Sequence, residues 1–114
     1  GNGRAIAVTA AVEGATVACA DLDLAAAKET ASQVRDAGGH AQVVVADVSD
    51  AEACTAMVAE AADLLDGLDG VVVNVGIGAG RWLATTSPEE WDAVFDVNVR
   101  AHFLTCRAAL PLRP

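Results

Sequence analysis

The sequence predicts an α/β fold built on a parallel, doubly wound sheet, and three observations predict it. Apolar stretches at residues 15–20, 41–46 and 70–73 run into Asp21, Asp47 and Asn74, polar side chains that stand 26 and 27 positions apart. A helix-like amphipathic segment fills each interval, so the order is β-α-β-α-β. The run Val71-Val72-Val73, opened by Gly70, reads as a strand buried on both faces. Right-handed crossovers would make the strands parallel and set their carboxyl ends on one rim, where open α/β sheets bind ligands.

The bulk composition narrows the class. A chain of 114 residues is one domain or part of one. It is 54% hydrophobic but 4% aromatic, so the core is built from Ala, Val and Leu, which let helices approach a sheet closely. A net charge of −9 with seven basic residues argues against a nucleic-acid or anionic-membrane surface, which needs clustered Lys and Arg. Cys19, Cys54 and Cys106 are widely spaced within apolar patterns, fit neither zinc-ligand spacing nor a disulfide framework, and are expected as small buried hydrophobes. With no apolar run near the roughly 18 residues of a membrane span and no signal-peptide pattern, a cytoplasmic setting is expected.

Taken in order, the chain opens with Gly1-Asn2-Gly3 before a helix ending at Gly14, with Ile6, Ala10 and Val12 at near-helical spacing. A helix start with bare N–H groups and a positive dipole end can hold a phosphate, although two glycines at a terminus read equally as a frayed end. Asp21 falls 18 residues after Gly3, close to the offset at which an acid meets a ribose hydroxyl in dinucleotide-binding units. The next helix carries Leu24, Ala27, Ala31 and Val34 as one stripe, with Asp23 as N-cap and Gly38-Gly39 as stop. Because Asp23 caps, Asp21 is left without a structural duty. No Arg or Lys stands at positions 22–27 to meet a 2′-phosphate, so NAD is favoured over NADP.

The following helix is expected to start with a capping box, Ser49 at N-cap and Glu52 at N3, leaving Asp47 free as well. Cys54, Met57, Val58, Ala61, Leu64 and Leu65 form its core face, and Gly67 ends it. The glycines after Asn74 do not make a second phosphate loop: Arg81 stands where a third glycine would fall, and no acidic strand end follows about 20 residues on. They more readily let backbone pass close to a ligand. Ser87-Pro88-Glu89-Glu90 starts a last helix, 88–110, whose apolar side holds Trp91, Val94, Phe95, Ala101, Leu104 and Ala108 and which Pro111 stops. Asn98 interrupts that side with a polar group, which points to a function. His40 is expected in a solvated loop and His102 at an interface. There is no repeat, no linker, no metal-ligand set and no nucleophile with a base at recognisable spacing.

Together these residues resemble the short-chain dehydrogenase/reductase family along the whole chain. Gly1-Asn2-Gly3 resembles the last two glycines of that family's Thr-Gly-x-x-x-Gly-x-Gly loop. Asp21, followed by Leu22, resembles the ribose-binding acid of NAD-preferring members, and Asp47-Val48 the pair that holds adenine. Asn74-Val75-Gly76 resembles the end of the Asn-Asn-Ala-Gly motif, which backs the nicotinamide-side ribose. Asn98 resembles the helix Asn of the Asn-Ser-Tyr-Lys tetrad, whose backbone carbonyl holds a proton-relay water, and is the one catalytic candidate. Val73, Val75 and Asn2 depart from these motifs. More seriously, the sequence has no Tyr and its only Lys is Lys28, so the family's Tyr-x-x-x-Lys pair is not in it.

The resemblance implies a Rossmann-like doubly wound parallel sheet that is incomplete, holding the family's second to fourth strands with flanking helices. Residues 1–114 would be a single partial NAD(P)-binding domain, with the first strand before Gly1 and the rest of the fold beyond Pro114. Such a piece has open strand edges and is expected to be marginal or association-prone alone. The implied function is an NAD(P)-dependent oxidoreductase that interconverts an alcohol and a ketone by hydride transfer, of which this chain is the nucleotide-binding portion. The alternative is a catalytically inactive nucleotide-binding or protein-interaction module. Small-molecule substrates, no nucleic acid, no membrane, and homo-oligomers through helix 88–110 with Trp91, Phe95 and Phe103 complete the expectation.

Overall fold

In the computed structural model, which describes residues 1–78 and 82–112, the two apolar stretches that lead to Asp21 and Asp47 pair side by side. Strand β1 (Thr16–Asp21) and strand β2 (His40–Val45) run parallel, in register from Thr16 opposite His40 to Asp21 opposite Val45. Alternation along each strand sends side chains to two layers. Val17, Cys19, Ala41 and Val43 face helix α1 (Asn2–Val12) and helix α2 (Leu24–Asp36), where Ala11, Ala31 and Val34 complete one core. Ala18 and Val44 face helix α3 (Ala51–Leu65) and helix α5 (Ala101–Ala109), meeting Met57, Val58 and Ala109. The result is an incomplete α/β fold with helices on both faces of a parallel pair.

The expected third strand is extended chain without a ladder among the described residues. Val71 and Val72 are 43% and 66% exposed, so the run is not buried on both faces here. A strand exists only by pairing, and among the described residues β1 pairs with β2 alone; in the doubly wound order another strand stands between β1 and the 70–75 stretch.

The helix ends show where short-range reading succeeds and fails. Asp23 caps α2, its Oδ1 accepting from the Ala25 amide at 2.9 Å, and Gly38 closes that helix at φ +87°, a conformation that other residues adopt at a cost. The cap of α3 is Asp50, which accepts from the Ala53 amide at 2.8 Å, and not Ser49. Ser49 is diverted because its hydroxyl donates to Asp47 at 2.6 Å. Helix α4 (Pro88–Phe95) has the expected capping box between Ser87 and Glu90.

Other expectations shift. In α1, Ile6 and Val12 are exposed, while Ala7, Val8 and Ala11 face the core. Leu24 and Leu64 are also exposed. The helix expected over 88–110 is three segments: α4, a π turn over Asp96–Arg100, and α5, followed by a short 3₁₀ turn, Leu110–Leu112, that contains Pro111. Trp91 and Phe95 lie 56% and 44% exposed instead of in the core. His40 is the first residue of β2 and not a loop residue. Cys19 and Cys54 are buried, but Cys106 is exposed. The end of the glycine-rich run, residues 79–81, lies outside the described residues.

Candidate functional site

Parallel pairing sets Asp21, the last residue of β1, beside Val45, two residues before Asp47. The Ala46 amide donates to the Asp21 carbonyl at 3.1 Å, so the two strand ends stay together past the ladder. Both carboxylates were expected to be idle, and neither is. Asp21 Oδ1 accepts from the Asp23 amide at 3.0 Å. Asp47 Oδ1 accepts from the Ser49 amide at 3.0 Å and from the Ser49 hydroxyl, and these two bonds hold its carboxyl below the usual carboxylate range. The turns thereby fix each side chain through one oxygen and leave the other directed away from the bond. Leu22 is exposed beside Asp21. Val48 is half-buried, and its carbonyl accepts from the Cys54 thiol at 3.1 Å, a tie that no sequence signal announced.

The start of α1 belongs to the same rim. Arg4 Nε donates to Thr30 Oγ1 at 3.1 Å, and at the other end Ala11 packs with Val34 beside Gly39, so α1 and α2 lie side by side and point the same way. Because α2 begins just after Asp21, Gly1, Asn2 and Gly3 stand at the carboxyl ends of the strands. No side chain caps α1, and its first turn carries no acidic residue, which leaves backbone N–H groups and the positive dipole end bare. A methyl group at Gly3 would sit 3.1 Å from Asn74 Nδ2, so the helix start and Asn74 are in close approach.

Residues 75–77 are held from the π turn and α5. The Ile77 amide donates to Asn98 Oδ1 at 2.7 Å, and Asn98 Nδ2 donates to the Ile77 carbonyl at 2.8 Å. One turn further on, His102 Nε2 lies 3.1 Å from the Val75 carbonyl. Gly76 passes so close that a Cβ there would be 3.2 Å from Asn98 Oδ1. Asn98, expected as a polar break in an apolar face, is therefore the anchor of this stretch. His102, expected at an interface, also bonds this stretch; its spacing of four from Asn98 was the available signal. The structure thus brings Gly3 against Asn74 and Gly76 against Asn98, and sets Asp21, Leu22, Asp47 and Val48 at the ends of the paired strands. Among the described residues no cluster of three or more His, Cys, Asp or Glu could hold a metal.

A family model described as Enoyl-(Acyl carrier protein) reductase matches residues 1–114. The chain is 44% identical over 110 residues to "Probable oxidoreductase EphD" of Mycobacterium tuberculosis, covering 95% of this chain and 18% of that protein. It is 38% identical over 117 residues to the human (3R)-3-hydroxyacyl-CoA dehydrogenase, covering 96% of this chain and 45% of that one. Among solved structures, a short chain dehydrogenase from Mycobacterium avium superposes with a TM-score of 0.92 at 35% identity, over 98% of this chain and 42% of that one. Levodione reductase superposes with a TM-score of 0.93 at 30% identity, over 98% and 45%. The chain spans less than half the length of each of these relatives. Matched from end to end in both sequence and backbone, it belongs to the short-chain dehydrogenase/reductase family of oxidoreductases.

Proposed function

We propose that residues 1–114 form a single partial NAD(P)-binding domain, the nucleotide-binding portion of an oxidoreductase that interconverts an alcohol and a ketone. The observation that carries this reading is the convergence of an uncapped helix start, two turn-fixed carboxylates and the 74–77 stretch on one rim. The bare N–H groups of Gly1, Asn2 and Gly3 suit a pyrophosphate, and the absence of side chains at the two glycines gives it room. Asp21, with Leu22 beside it, would take the adenosine ribose hydroxyls, and Asp47 with Val48 the adenine edge. Asn74, Val75 and Gly76 would back the second ribose. When bound, the nicotinamide supplies the hydride acceptor or donor. In this chain Asn98 keeps the Ile77 backbone fixed and, as the family resemblance suggests, would order a relay water at its backbone carbonyl.

An acid at position 21 favours NAD over NADP, because a 2′-phosphate would meet a carboxylate with no cation at positions 22–27. Among the described residues no helix is long and apolar enough to cross a membrane; a cytoplasmic setting is part of the proposal. Asp21→Ala, made in the complete polypeptide that carries these residues, tests the reading. Loss of charge-assisted bonds worth ~1.5–3 kcal/mol should weaken NAD about tenfold or more and narrow its margin over NADP. Unchanged NAD affinity would remove the ribose assignment.

A second reading, a partner surface on residues 88–110, is favoured by one observation. Trp91 and Phe95 stack with centroids 4.7 Å apart, and Arg107 lies 5.3 Å from the centre of the Phe103 ring, all with the aromatics exposed. This face suits a homo-oligomer interface and is compatible with the enzyme reading; without nucleotide binding it would stand alone as an interaction module.

A further inference from the structure

Side chains reaching across from the last helical segments hold the backbone of residues 75–77. Asn98 takes both polar groups of Ile77. His102 takes the carbonyl of Val75, two residues back and therefore on the same edge of an extended chain. In an α-helix residues four apart drift by about 40°; the wider π turn over Asp96–Arg100 brings the two side chains closer to alignment with one edge. We propose that His102 is a positioning residue: it donates from Nε2 to the Val75 carbonyl and, with Asn98, clamps the 75–77 backbone in the pose that the nicotinamide half of the cofactor needs. This rests on the nucleotide reading above. A carbonyl only accepts, so the bond requires the proton on Nε2 and selects that tautomer.

The test compares His102→Leu, which fills space without a donor, and His102→Gln, which keeps an N–H, with the parent in the complete polypeptide. Nitrogen NMR of the ring should show Nε2 protonated. Exchange of the Ile77 amide should quicken about two- to tenfold in His102→Leu and return toward the parent in His102→Gln. NAD should bind His102→Leu more weakly by a similar factor while AMP, which lacks the nicotinamide half, binds as before. A proton on Nδ1, indistinguishable Leu and Gln variants, or equal losses of NAD and AMP would overturn the proposal. A parent that binds neither NAD nor AMP defeats the nucleotide reading and the purpose assigned to the clamp, whereas the tautomer and exchange results still show whether the clamp itself exists.

Discussion

Removing the Asn98 side chain should release the 75–77 backbone that crosses in front of it. Asn98→Ala deletes two hydrogen bonds, of 2.7 and 2.8 Å, to the amide and carbonyl of Ile77. Each is worth ~0.5–1.5 kcal/mol net, and because Ile77 is exposed its groups recover some bonding to water, which puts the pair near ~1–2 kcal/mol. Alanine's better helix propensity returns up to ~0.7 kcal/mol, so the expected loss is about 1 kcal/mol in urea unfolding, with the Ile77 amide the most accelerated in hydrogen exchange. Asn98→Asp keeps the acceptor for the Ile77 amide but turns the donor into an oxygen facing a carbonyl. It should therefore be at least as damaging as alanine despite its near-identical shape. An Asn98→Asp variant as stable as the parent, with unchanged Ile77 exchange, would refute the anchoring role.

Gly39→Ala would place a methyl 2.8 Å from the Ala11 Cβ and 3.1 Å from Val34 Cγ1. The crowding should cost ~1–3 kcal/mol in denaturant, and Ala11→Gly should recover part of it as a positive coupling in a double-mutant cycle. Ser49→Ala should raise the pH at which the Asp47 carboxyl titrates by NMR, since both bonds that depress it come from Ser49 and the hydroxyl bond is lost. A depressed native value contributes stability above the unfolded-state pKa and loses it as pH falls through the native one, so the acid limb of a stability profile should flatten slightly in that variant.

The frame was legible because each strand announces its own end: Asp21 and Asp47 mark where β1 and β2 leave the sheet, and both lie on the carboxyl side of a parallel pair. Features set by neighbours were less legible. The sequence of α1 is apolar nearly all round, so periodicity could not choose between Ile6 and Ala11 for the core. Ser49 and Asp50 are adjacent residues able to cap; Asp50 takes the Ala53 amide while the serine hydroxyl is turned to Asp47. Val71 to Val73 have a strand's composition, yet pairing is a property of two strands and not of one. At the candidate site, Asn98 stood out as a polar residue on an apolar face, whereas His102 acquires its role from the Val75 carbonyl, 27 positions away in the chain.

The convergence of strand ends, helix start and the 74–77 stretch on one rim is tested most directly by titrating NAD into the labelled complete polypeptide and following backbone amides. The account predicts that Gly3, Leu22, Val48 and Gly76 move together with one affinity while Gly14, Gly38 and Gly67, at the far ends of the helices, stay still. Shifts centred on those distant turns, or Gly3 and Gly76 unmoved at saturation, would contradict it.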